Sequence, residues 1–285
     1  MPAPQLIMVA GPNGSGKTTL IESLRAAGDV RLPEDYVNAD DLRAQRGIDA
    51  RAAQQLARER RLAAIAARRS LLYETVMSHP SKIAELQRAA RGGYAITVVF
   101  VATADPAINV ERVRLRVAAG GHAVPEERIR ARYRRSLALA PSALALAGHA
   151  YVYDNSGWGG GSGEALQALL VRNRLEAATR APALWVKDLI RRVNARAEEL
   201  ETLWRSGAQP LALPDLETGI TEGPLQELRR HYALQLEPAT GRLLLHDRAL
   251  LPQALRRGRR YRIVYREGVA EVSVHANPVL QPVRS

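Results

Sequence analysis

The chain contains no cysteine, a single phenylalanine and no run of eighteen consecutive apolar residues. The absence of cysteine excludes a disulfide scaffold, a zinc site built on thiolates and a cysteine nucleophile. The absence of a long apolar run means that no transmembrane helix is predicted. The amino terminus has no basic region, and the apolar run that follows it is too short for a signal peptide. We therefore expect a cytoplasmic protein.

Lysine is also scarce, with three residues among the 41 basic ones, so arginine carries almost all of the formal net charge of +12. A basic chain of this kind can serve nucleic-acid binding. A GC-rich genome that encodes much arginine and alanine would give the same composition, and an anionic substrate such as a nucleotide would also suit it. The hydrophobic fraction of 46% and the charged fraction of 25% are ordinary for a folded protein.

Short apolar runs alternate with helical patterns through the first half of the chain. The predicted strands are 5–10, 35–40, 70–74, 95–102 and 151–154, and the predicted helices are 18–27, 50–69, 80–91, 106–119 and 125–147. This alternation is typical of an α/β protein with a parallel sheet. We predict five parallel strands in the order 2-3-1-4-5 with flanking helices.

The second half of the chain changes character after a glycine-rich break at 157–163. We predict helices at 164–180 and 184–205, irregular chain at 210–224, and strands at 242–246, 260–265 and 269–275. The predicted domains are a sheet-containing domain at 1–180, a helical connector at 181–208 and a small basic module with β-strands at 209–285.

The first predicted strand leads into a glycine-rich turn that fits the pattern G-x-x-x-x-G-K-[ST]. The turn comprises Gly11, Pro12, Asn13, Gly14, Ser15, Gly16, Lys17, Thr18 and Thr19. In such a P-loop, backbone N–H groups turn towards phosphate oxygens, and the next helix adds its dipole. Lys17 would reach the β- and γ-phosphates, and the Thr18 hydroxyl would hold Mg²⁺. The turn predicts binding of ATP or GTP with Mg²⁺, in a fold of the P-loop NTPase or kinase type.

Two patterns that would assign another P-loop function are missing from the sequence. The guanine-reading pattern N-K-x-D and the transporter pattern L-S-G-G-Q do not occur, which disfavours a GTPase switch and a transporter ATPase. The alternative to these two classes is a P-loop kinase. It needs a base near the γ-phosphate, a site that holds the acceptor and a lid that carries arginine.

Carboxylates follow the second and third predicted strands, whose carboxyl ends would share the ligand-binding edge of the sheet with the P-loop. Asp40 could accept the proton of an acceptor hydroxyl there, although Asp40 or Asp41 could instead cap the next helix. Glu74 and Thr75 close the third strand. Glu74 could bind acceptor hydroxyls, act on Mg²⁺ through water or lie at the surface.

Arginines in the predicted helix 125–147 could form the arginine-bearing lid that a P-loop kinase needs. Three of them share one helical face through their spacing, namely Arg128, Arg132 and Arg135. Arg112 and Arg116 form another pair on the preceding helix, and Gly120 and Gly121 between the two helices could act as a hinge. Two arginine faces that meet at a hinge suit a phosphate clamp. A solvated face of an arginine-rich helix would give the same pattern.

Taken in order, these motifs resemble the zeta toxin family of P-loop kinases, in the short branch often labelled predicted ABC-type ATPase. The resemblance covers residues 5–180 and rests on the P-loop followed by Asn38-Ala39-Asp40, Glu74-Thr75, Gly120-Gly121-His122, Val124-Pro125, Ile129, Arg132, Arg135, Leu137 and Tyr153-Asp154-Asn155-Ser156.

The resemblance implies an activity and its partners. Members of the family use ATP with Mg²⁺ to phosphorylate the 3′-hydroxyl of the sugar in UDP-N-acetylglucosamine, which blocks cell-wall synthesis. A small antitoxin restrains the toxin by occluding the nucleotide site. The short branch has a compact substrate region, here at 75–95, which leaves less chain to recognise a uridine and a pyrophosphate.

The resemblance also implies roles for individual residues. The matching positions are the P-loop lysine Lys17, the Mg²⁺-binding Thr18, the catalytic Asp40 and the substrate-binding Glu74 with its neighbour Thr75. Arg132 and Arg135 fall where the catalytic arginines of the lid are expected, and Arg116 is a rival for contact with the transferred group or the substrate.

The predicted module at 209–285 lies outside that pattern. The stretches 244–251 and 258–265 show a faint resemblance to a small plasmid-associated domain known as KfrB. Six arginines lie between residues 256 and 266, with Tyr261 and Tyr265 among them. This arrangement would suit a nucleic-acid surface, and a solvated strand face would have it as well.

We predict a Mg²⁺- and ATP-dependent kinase of zeta-toxin type that phosphorylates a small-molecule hydroxyl. UDP-N-acetylglucosamine is the candidate acceptor and an antitoxin the candidate protein partner. A kinase for another nucleotide or for a polynucleotide end is one alternative. An alternative of a different class is a P-loop ATPase regulator whose basic C-terminal module binds nucleic acid.

Overall fold

A computed structural model describes residues 2–28, 31–157, 165–206, 211–252 and 254–274. The chain forms two compact units, Met1–Ala197 and Glu198–Ser285. The predicted glycine-rich break from residue 158 onwards, the turn residue Pro210 and the end of the last predicted strand at His275 lie outside the described residues. None of the helices in the described part of the chain has the length and apolar character needed to cross a membrane.

The first unit contains a sheet of seven strands in the order β2-β3-β1-β4-β5-β6-β7. Its strands are β1 (Gln5–Ala10), β2 (Tyr36–Val37), β3 (Leu71–Thr75), β4 (Ala95–Ala102), β5 (His149–Asp154), β6 (Ala165–Val171) and β7 (Arg174–Ala178). The first five pair in parallel, and β6 and β7 extend the sheet in antiparallel pairing. The predicted order 2-3-1-4-5 of the parallel strands is confirmed.

Helices connect the parallel strands of the first unit. They are α1 (Lys17–Ala27), α2 (Ala39–Arg46), α3 (Ala50–Ala66), α4 (Ser81–Arg91), α5 (Pro106–Ala118) and α6 (Glu126–Leu144), and α7 (Leu184–Arg205) follows β7. β1 and β4 are buried over almost their full length. That burial explains why both strands read as continuous apolar runs in the sequence.

The sequence predicts a helix over 164–180, but residues 165–178 form the hairpin of β6 and β7 instead. Its residues favour a helix, but Arg172 and Asn173 take positive φ angles of 47° and 67° and form a two-residue turn. β6 pairs with β5, and its Ala168 and Leu170 alternate into the core. Pairing with the edge of β5 therefore outweighs the helix propensity of this segment.

The second predicted strand, 35–40, is shorter than expected. Only Tyr36–Val37 pairs with β3, and α2 begins at Ala39 with Asn38 as its N-cap. The Asn38 side chain accepts a hydrogen bond from the Asp40 N–H at 2.9 Å. Neither Asp40 nor Asp41 caps the helix, and Asp40 lies in the first turn of α2 rather than at the end of a strand.

The second unit contains an antiparallel sheet of five strands in the order β10-β9-β8-β11-β12. Its strands are β8 (Ile220–Leu228), β9 (Tyr232–Glu237), β10 (Arg242–Asp247), β11 (Arg260–Arg266) and β12 (Val269–Val274), and a 3₁₀-helix covers Arg248–Leu250. The sequence predicts β10, β11 and β12 but misses β8 and β9. Gly223 and Pro224, predicted in irregular chain, lie inside β8.

β11 alternates between the core and the surface, as its sequence predicts. Tyr261 and Tyr265 are buried, whereas Arg262 and Arg266 are exposed. Arg262 forms an ion pair with Glu222, with 2.9 Å between Nε and Oε1. Both tyrosines face the core, so they do not lie on the exposed face that carries Arg262 and Arg266.

A buried polar network lies in the core of the second unit. His246 is fully buried, with its Nε2 3.1 Å from Gln235 Oε1 and its Nδ1 2.8 Å from the Tyr265 hydroxyl. Gln235 Oε1 also accepts from the Thr221 hydroxyl at 2.6 Å, and its amide nitrogen donates to two backbone carbonyls. An amide oxygen only accepts, so His246 Nε2 carries the proton and Nδ1 accepts from Tyr265.

We expect the second unit to lose stability below about pH 6.5 because His246 is buried in its neutral form. Burial lowers the pKa of His246 from 6.5 to about 3, so between these values the unfolded chain binds a proton that the folded unit does not. The contribution is complete above the unfolded pKa and falls by about 1.4 kcal/mol for each pH unit below it. Hydrogen exchange of the β9 and β10 amides, corrected for intrinsic rates, measures it.

The matched control is His246→Gln, which keeps a polar neutral side chain. This variant is expected to be less stable at neutral pH but to lose one proton's worth of pH dependence. The same slope in the variant and the natural chain would contradict the assignment to His246.

Candidate active site

Two glycines of the P-loop pack where no side chain fits. A Cβ on Gly11 would lie 1.9 Å from the Val101 carbonyl oxygen, and one on Gly14 would lie 2.6 Å from the Asn109 carbonyl oxygen. Their φ angles, 150° and 73°, are in the region that favours glycine. The loop therefore packs directly against β4 and α5, and it ends at the N-terminus of α1, which suits an anion.

Two buried asparagines that lie outside the P-loop sequence donate hydrogen bonds to its backbone. Asn109 Nδ2 donates to the Asn13 carbonyl at 2.7 Å, and Asn155 Nδ2 donates to the Ser15 carbonyl at 2.9 Å. Carbonyl oxygens that are engaged in this way do not face a bound phosphate. Asn155 belongs to the motif Tyr153-Asp154-Asn155-Ser156 named in the sequence analysis. Asn109 was not predicted from the sequence, although a polar residue on the buried side of the amphipathic helix α5 could have drawn attention to it.

Lys17 folds back over the loop that carries it. Its Nζ lies 2.9 Å from the Pro12 carbonyl oxygen and 3.8 Å from Glu74 Oε1, and the residue is buried. Burial lowers the pKa of Lys17, against the opposing effect of the Glu74 and Asp40 carboxylates. A buried ammonium group of this kind gains from an incoming polyphosphate, which adds negative charge beside it.

Glu74, at the end of β3, contacts the side chains of Lys17 and Thr18 in the P-loop. Its Oε2 accepts from the Thr18 hydroxyl at 2.8 Å, and the Tyr36 hydroxyl and Asn38 Nδ2 lie at 3.4 and 3.5 Å from the same oxygen. A hydroxyl oxygen and a carboxylate oxygen lie next to each other here, and both are ligands that Mg²⁺ accepts.

Asp40 and Asp41, neighbours in the first turn of α2, differ in what they face. Asp40 lines a cavity together with Lys17 and Glu74. Asp41 is exposed and is not among the residues that line this cavity. Burial of part of its side chain, together with the negative charges of Glu74 and Asp40, raises the pKa of Asp41.

The cavity lies at the carboxyl edge of the parallel strands and has a volume of about 230 Å³. It is lined by Asn13, Gly14, Lys17, Asn38, Ala39, Asp40, Gln54, Glu74, Thr75, Val76, Met77, Ser78, His79, Lys82, Arg116 and Arg132. The sequence predicts the P-loop, Asp40, Glu74, Thr75, Arg116 and Arg132 in this place. It misses Gln54 on α3, and it does not single out Val76, Met77, Ser78, His79 or Lys82 within the substrate region expected at 75–95.

Arg132 is the arginine of the α6 face that reaches the cavity. Its Nη1 lies 3.3 Å from Asn13 Oδ1 in the P-loop. Burial, and next the positive charges of Arg128 and Arg135, lower the pKa of Arg132. Arg128 and Arg135 are themselves exposed and are not among the lining residues. The shared helical face therefore does not bring all three to the site.

The two arginines of α5 have different surroundings. Arg116 lines the cavity, and its Nη2 lies 3.3 Å from the His122 carbonyl oxygen. Arg112 donates to the carbonyl oxygens of Asn155 and Gly157 at 2.8 and 2.6 Å. Arg112 thus holds the chain that follows β5, and the predicted pair contributes one arginine to the cavity.

The wall between β3 and α4 contains an unusual backbone conformation. Met77 is buried and has a φ of 51°, in a region that costs a non-glycine residue of the order of 1 kcal/mol. Its N–H donates to the Thr75 hydroxyl at 3.2 Å. This turn directs Met77, Ser78 and His79 along the cavity.

The arrangement combines three chemical capacities in one cavity. A P-loop and Lys17 can hold a polyphosphate, Arg116 and Arg132 can neutralise charge on a group in transfer, and Asp40 can accept a proton. These are the requirements of phosphoryl transfer to a hydroxyl.

Comparison with known proteins gives one family and several solved structures. A complex of AvrRxo1-ORF1 and -ORF2 is 12% identical, with 71% of this chain and 75% of that chain covered and a TM-score of 0.46. A structure described as a kinase from Chloroflexus aurantiacus is 22% identical over 43% of this chain and 72% of that chain, with a TM-score of 0.36.

The PezAT chromosomal toxin–antitoxin system of Streptococcus pneumoniae gives 14% identity over 70% of this chain and 88% of that chain, with a TM-score of 0.40. Among curated proteins, none matches the chain. The family described as zeta toxin matches residues 1–157, which is more than half of the 285 residues and includes the P-loop, Asp40, Glu74 and Arg132. The chain therefore belongs to the zeta toxin family of P-loop phosphotransferases.

Proposed function

We propose that this chain transfers the γ-phosphoryl group of ATP to the hydroxyl of a small molecule, as the toxin of a toxin–antitoxin pair. The observation that carries the proposal is the convergence of Lys17, Asp40, Glu74 and Arg132 on one cavity. A P-loop that only binds a nucleotide would need Lys17 but neither Asp40 nor Arg132. A kinase also needs a carboxylate that accepts the acceptor proton and an arginine that stabilises the transferred group, and Asp40 and Arg132 offer these.

Asp40 is the proposed general base. The acceptor oxygen forms a bond to the γ-phosphorus, the bond from that phosphorus to the β,γ-bridging oxygen breaks, ADP leaves and the acceptor proton passes to Asp40. Arg132, which is held at Asn13 and repelled by neighbouring arginines, stabilises negative charge on the group in transfer. Lys17 holds the phosphates of the nucleotide.

The residues at the P-loop fit a magnesium ion that accompanies ATP. Among the described residues, no cluster of three histidine or acidic side chains could hold a metal alone. The Thr18 hydroxyl and Glu74 offer two oxygen ligands 2.8 Å apart, and Mg²⁺ commonly completes its coordination with substrate phosphates and water. When bound, the ion would neutralise charge on the transferred group.

UDP-N-acetylglucosamine is the first acceptor to test, because family members phosphorylate it. We expect phosphoryl transfer from γ-labelled ATP to this sugar or to another small hydroxyl compound in an acceptor screen. Lys17→Ala removes the cation at the phosphates and should lower transfer by about a hundredfold or more. A screen in which the natural chain and Lys17→Ala give equal ATP turnover would refute the kinase assignment.

Asp40 and Asp41 form a matched pair for testing the base. Asp40→Asn should leave ATP binding intact and lower the transfer rate by about two orders of magnitude, the scale of a general base. Asp41→Asn should have a mild effect because Asp41 does not line the cavity. Rates are compared at saturating ATP, and growth inhibition on expression in a bacterium is a second readout. Equal or reversed effects of the two variants would overturn these roles.

Arg132 and Arg135 test the lid in the same way. Arg132→Ala should reduce kcat by about a hundredfold, the scale for a lost charge-stabilising group. Arg135→Ala should change kcat by less than about threefold, since its side chain is exposed and outside the lining of the cavity. If Arg135→Ala has the larger effect, the catalytic arginine has been assigned to the wrong helical turn.

A further inference from the structure

Two of the three lysines in the chain line the same cavity. Lys17 belongs to the P-loop, Lys82 lies in the first turn of α4, and Lys187 is exposed on α7. The chain uses arginine at almost every other basic position. Lys82 has no role in the proposed transfer step, so that step does not explain why a lysine lines the cavity at this position.

Lys82 belongs to a buried charge cluster with Glu85 and Arg61. Arg61 contacts Glu85 through two nitrogens, with Nε at 2.8 Å and Nη2 at 3.1 Å. Lys82 Nζ lies 2.6 Å from Glu85 Oε1. The Glu85 side chain is fully buried, and the side chains of Arg61 and Lys82 are 3% and 11% exposed. Protonated Lys82 therefore gives this cluster a net charge of +1.

Folding alone does not require that second cation. A bidentate guanidinium already neutralises Glu85 and satisfies both of its oxygens. Burial of an additional charge has a desolvation cost that an apolar side chain of similar length would avoid. An excess of positive charge at the wall of a cavity is useful when an anion binds there.

The charges around the two cavity lysines are different. Glu85, Arg61 and Arg58 act on the pKa of Lys82, which burial lowers. Glu74, Asp40 and Arg116 act on the pKa of Lys17. The polar side chains of Ser78 and His79 precede Lys82 along the same wall. The cavity thus has a second basic position besides the one at the P-loop.

We propose that Lys82 binds a phosphate group of the acceptor and so determines which hydroxyl compound is phosphorylated. The inference rests on the proposed function, since it assigns this part of the cavity to the acceptor. A compact ammonium group recognises phosphate as a point charge. Glu85, itself fixed by Arg61, positions the Lys82 ammonium group at the wall.

The scarcity of lysine makes a direct test possible in the full-length chain. Carbon-13 at the ε-position of lysine gives one NMR signal for each of the three residues, assigned with Lys82→Arg and Lys187→Arg. The nucleotide site is first saturated with Mg²⁺ and a non-hydrolysable ATP analogue. Inorganic phosphate is then added, with sodium chloride at equal ionic strength as the control. We expect phosphate to shift the Lys82 signal and to leave the Lys187 signal in place.

This test does not depend on the identity of the acceptor. If phosphate moves the Lys82 signal no more than chloride does, the proposal is overturned, whether or not the chain is a kinase. If phosphate moves that signal while no acceptor in the screen is phosphorylated, the phosphate site stands and the proposed transfer activity fails.

Kinetics with UDP-N-acetylglucosamine supply the second measurement. Lys82→Met keeps the length of the side chain and leaves Glu85 paired with Arg61, so the variant should fold, which a melting curve checks. We expect the KM for the sugar nucleotide to rise by about tenfold or more, the loss of one charge-assisted contact, with the KM for ATP unchanged. Lys187→Met is the matched control. A selective fall in kcat, or an equal rise in both KM values, would contradict a role in acceptor binding.

Discussion

The parallel pairing of β1 between β3 and β4 is the constraint on which the site depends. Ala10, the last residue of β1, lies beside Thr75 of β3 and Phe100 of β4. Parallel strands end at the same edge of a sheet, so the P-loop after β1 and Glu74 in β3 must meet there. The contact between Glu74 and the Thr18 hydroxyl follows from this register. A shift of one residue in β3 would turn Glu74 to the opposite face.

Electrostatics then determine what the edge can hold. Four cationic side chains and two carboxylates line the cavity, namely Lys17, Lys82, Arg116, Arg132, Asp40 and Glu74. Excess positive charge at a partly buried site stabilises polyanions such as nucleotides. The two carboxylates place hydrogen-bond acceptor oxygens among these cations. One of them, Glu74, accepts from the Thr18 hydroxyl of the P-loop, which is why Asp40 is the carboxylate that we propose as the general base.

The sequence predicted many of the residues that line the cavity, but not how deeply each of them is covered. Lys17, Asp40, Glu74 and Arg132 could be predicted because each follows a recognisable pattern of strand end, P-loop or helical spacing. Arg135 has the same helical spacing as Arg132, but its side chain remains exposed. The spacing of residues along a helix shows which of them share a face. It does not show how far neighbouring elements cover each turn of that face.

The missed features share a dependence on tertiary contacts. Asn109 holds the P-loop through a contact between residues 96 positions apart. Its place on the buried side of α5 could single it out in the sequence, but no local pattern identifies Asn13 as its partner. The β6–β7 hairpin is made of helix-favouring residues, and it forms because β5 offers an edge for pairing. Its only local signal was the Arg172-Asn173 turn. Lys82 reads as one charge in an amphipathic helix until Glu85 and Arg61 are placed beside it.

The cavity and the basic β-strand module belong to different parts of the chain. All of the residues that line the cavity lie in the first unit, and Trp185 of α7 belongs to that unit too. Its indole packs edge-on to Phe100 at 6.2 Å, and its Nε1 donates to Asp154 at 2.7 Å. The first half of α7 therefore packs on the sheet that carries the site, at β4 and β5. Leu203, near the other end of α7, packs with the apolar core of the second unit. A chain that ended at residue 180 would therefore keep every proposed catalytic side chain and still lose the contacts that Trp185 makes with β4 and β5.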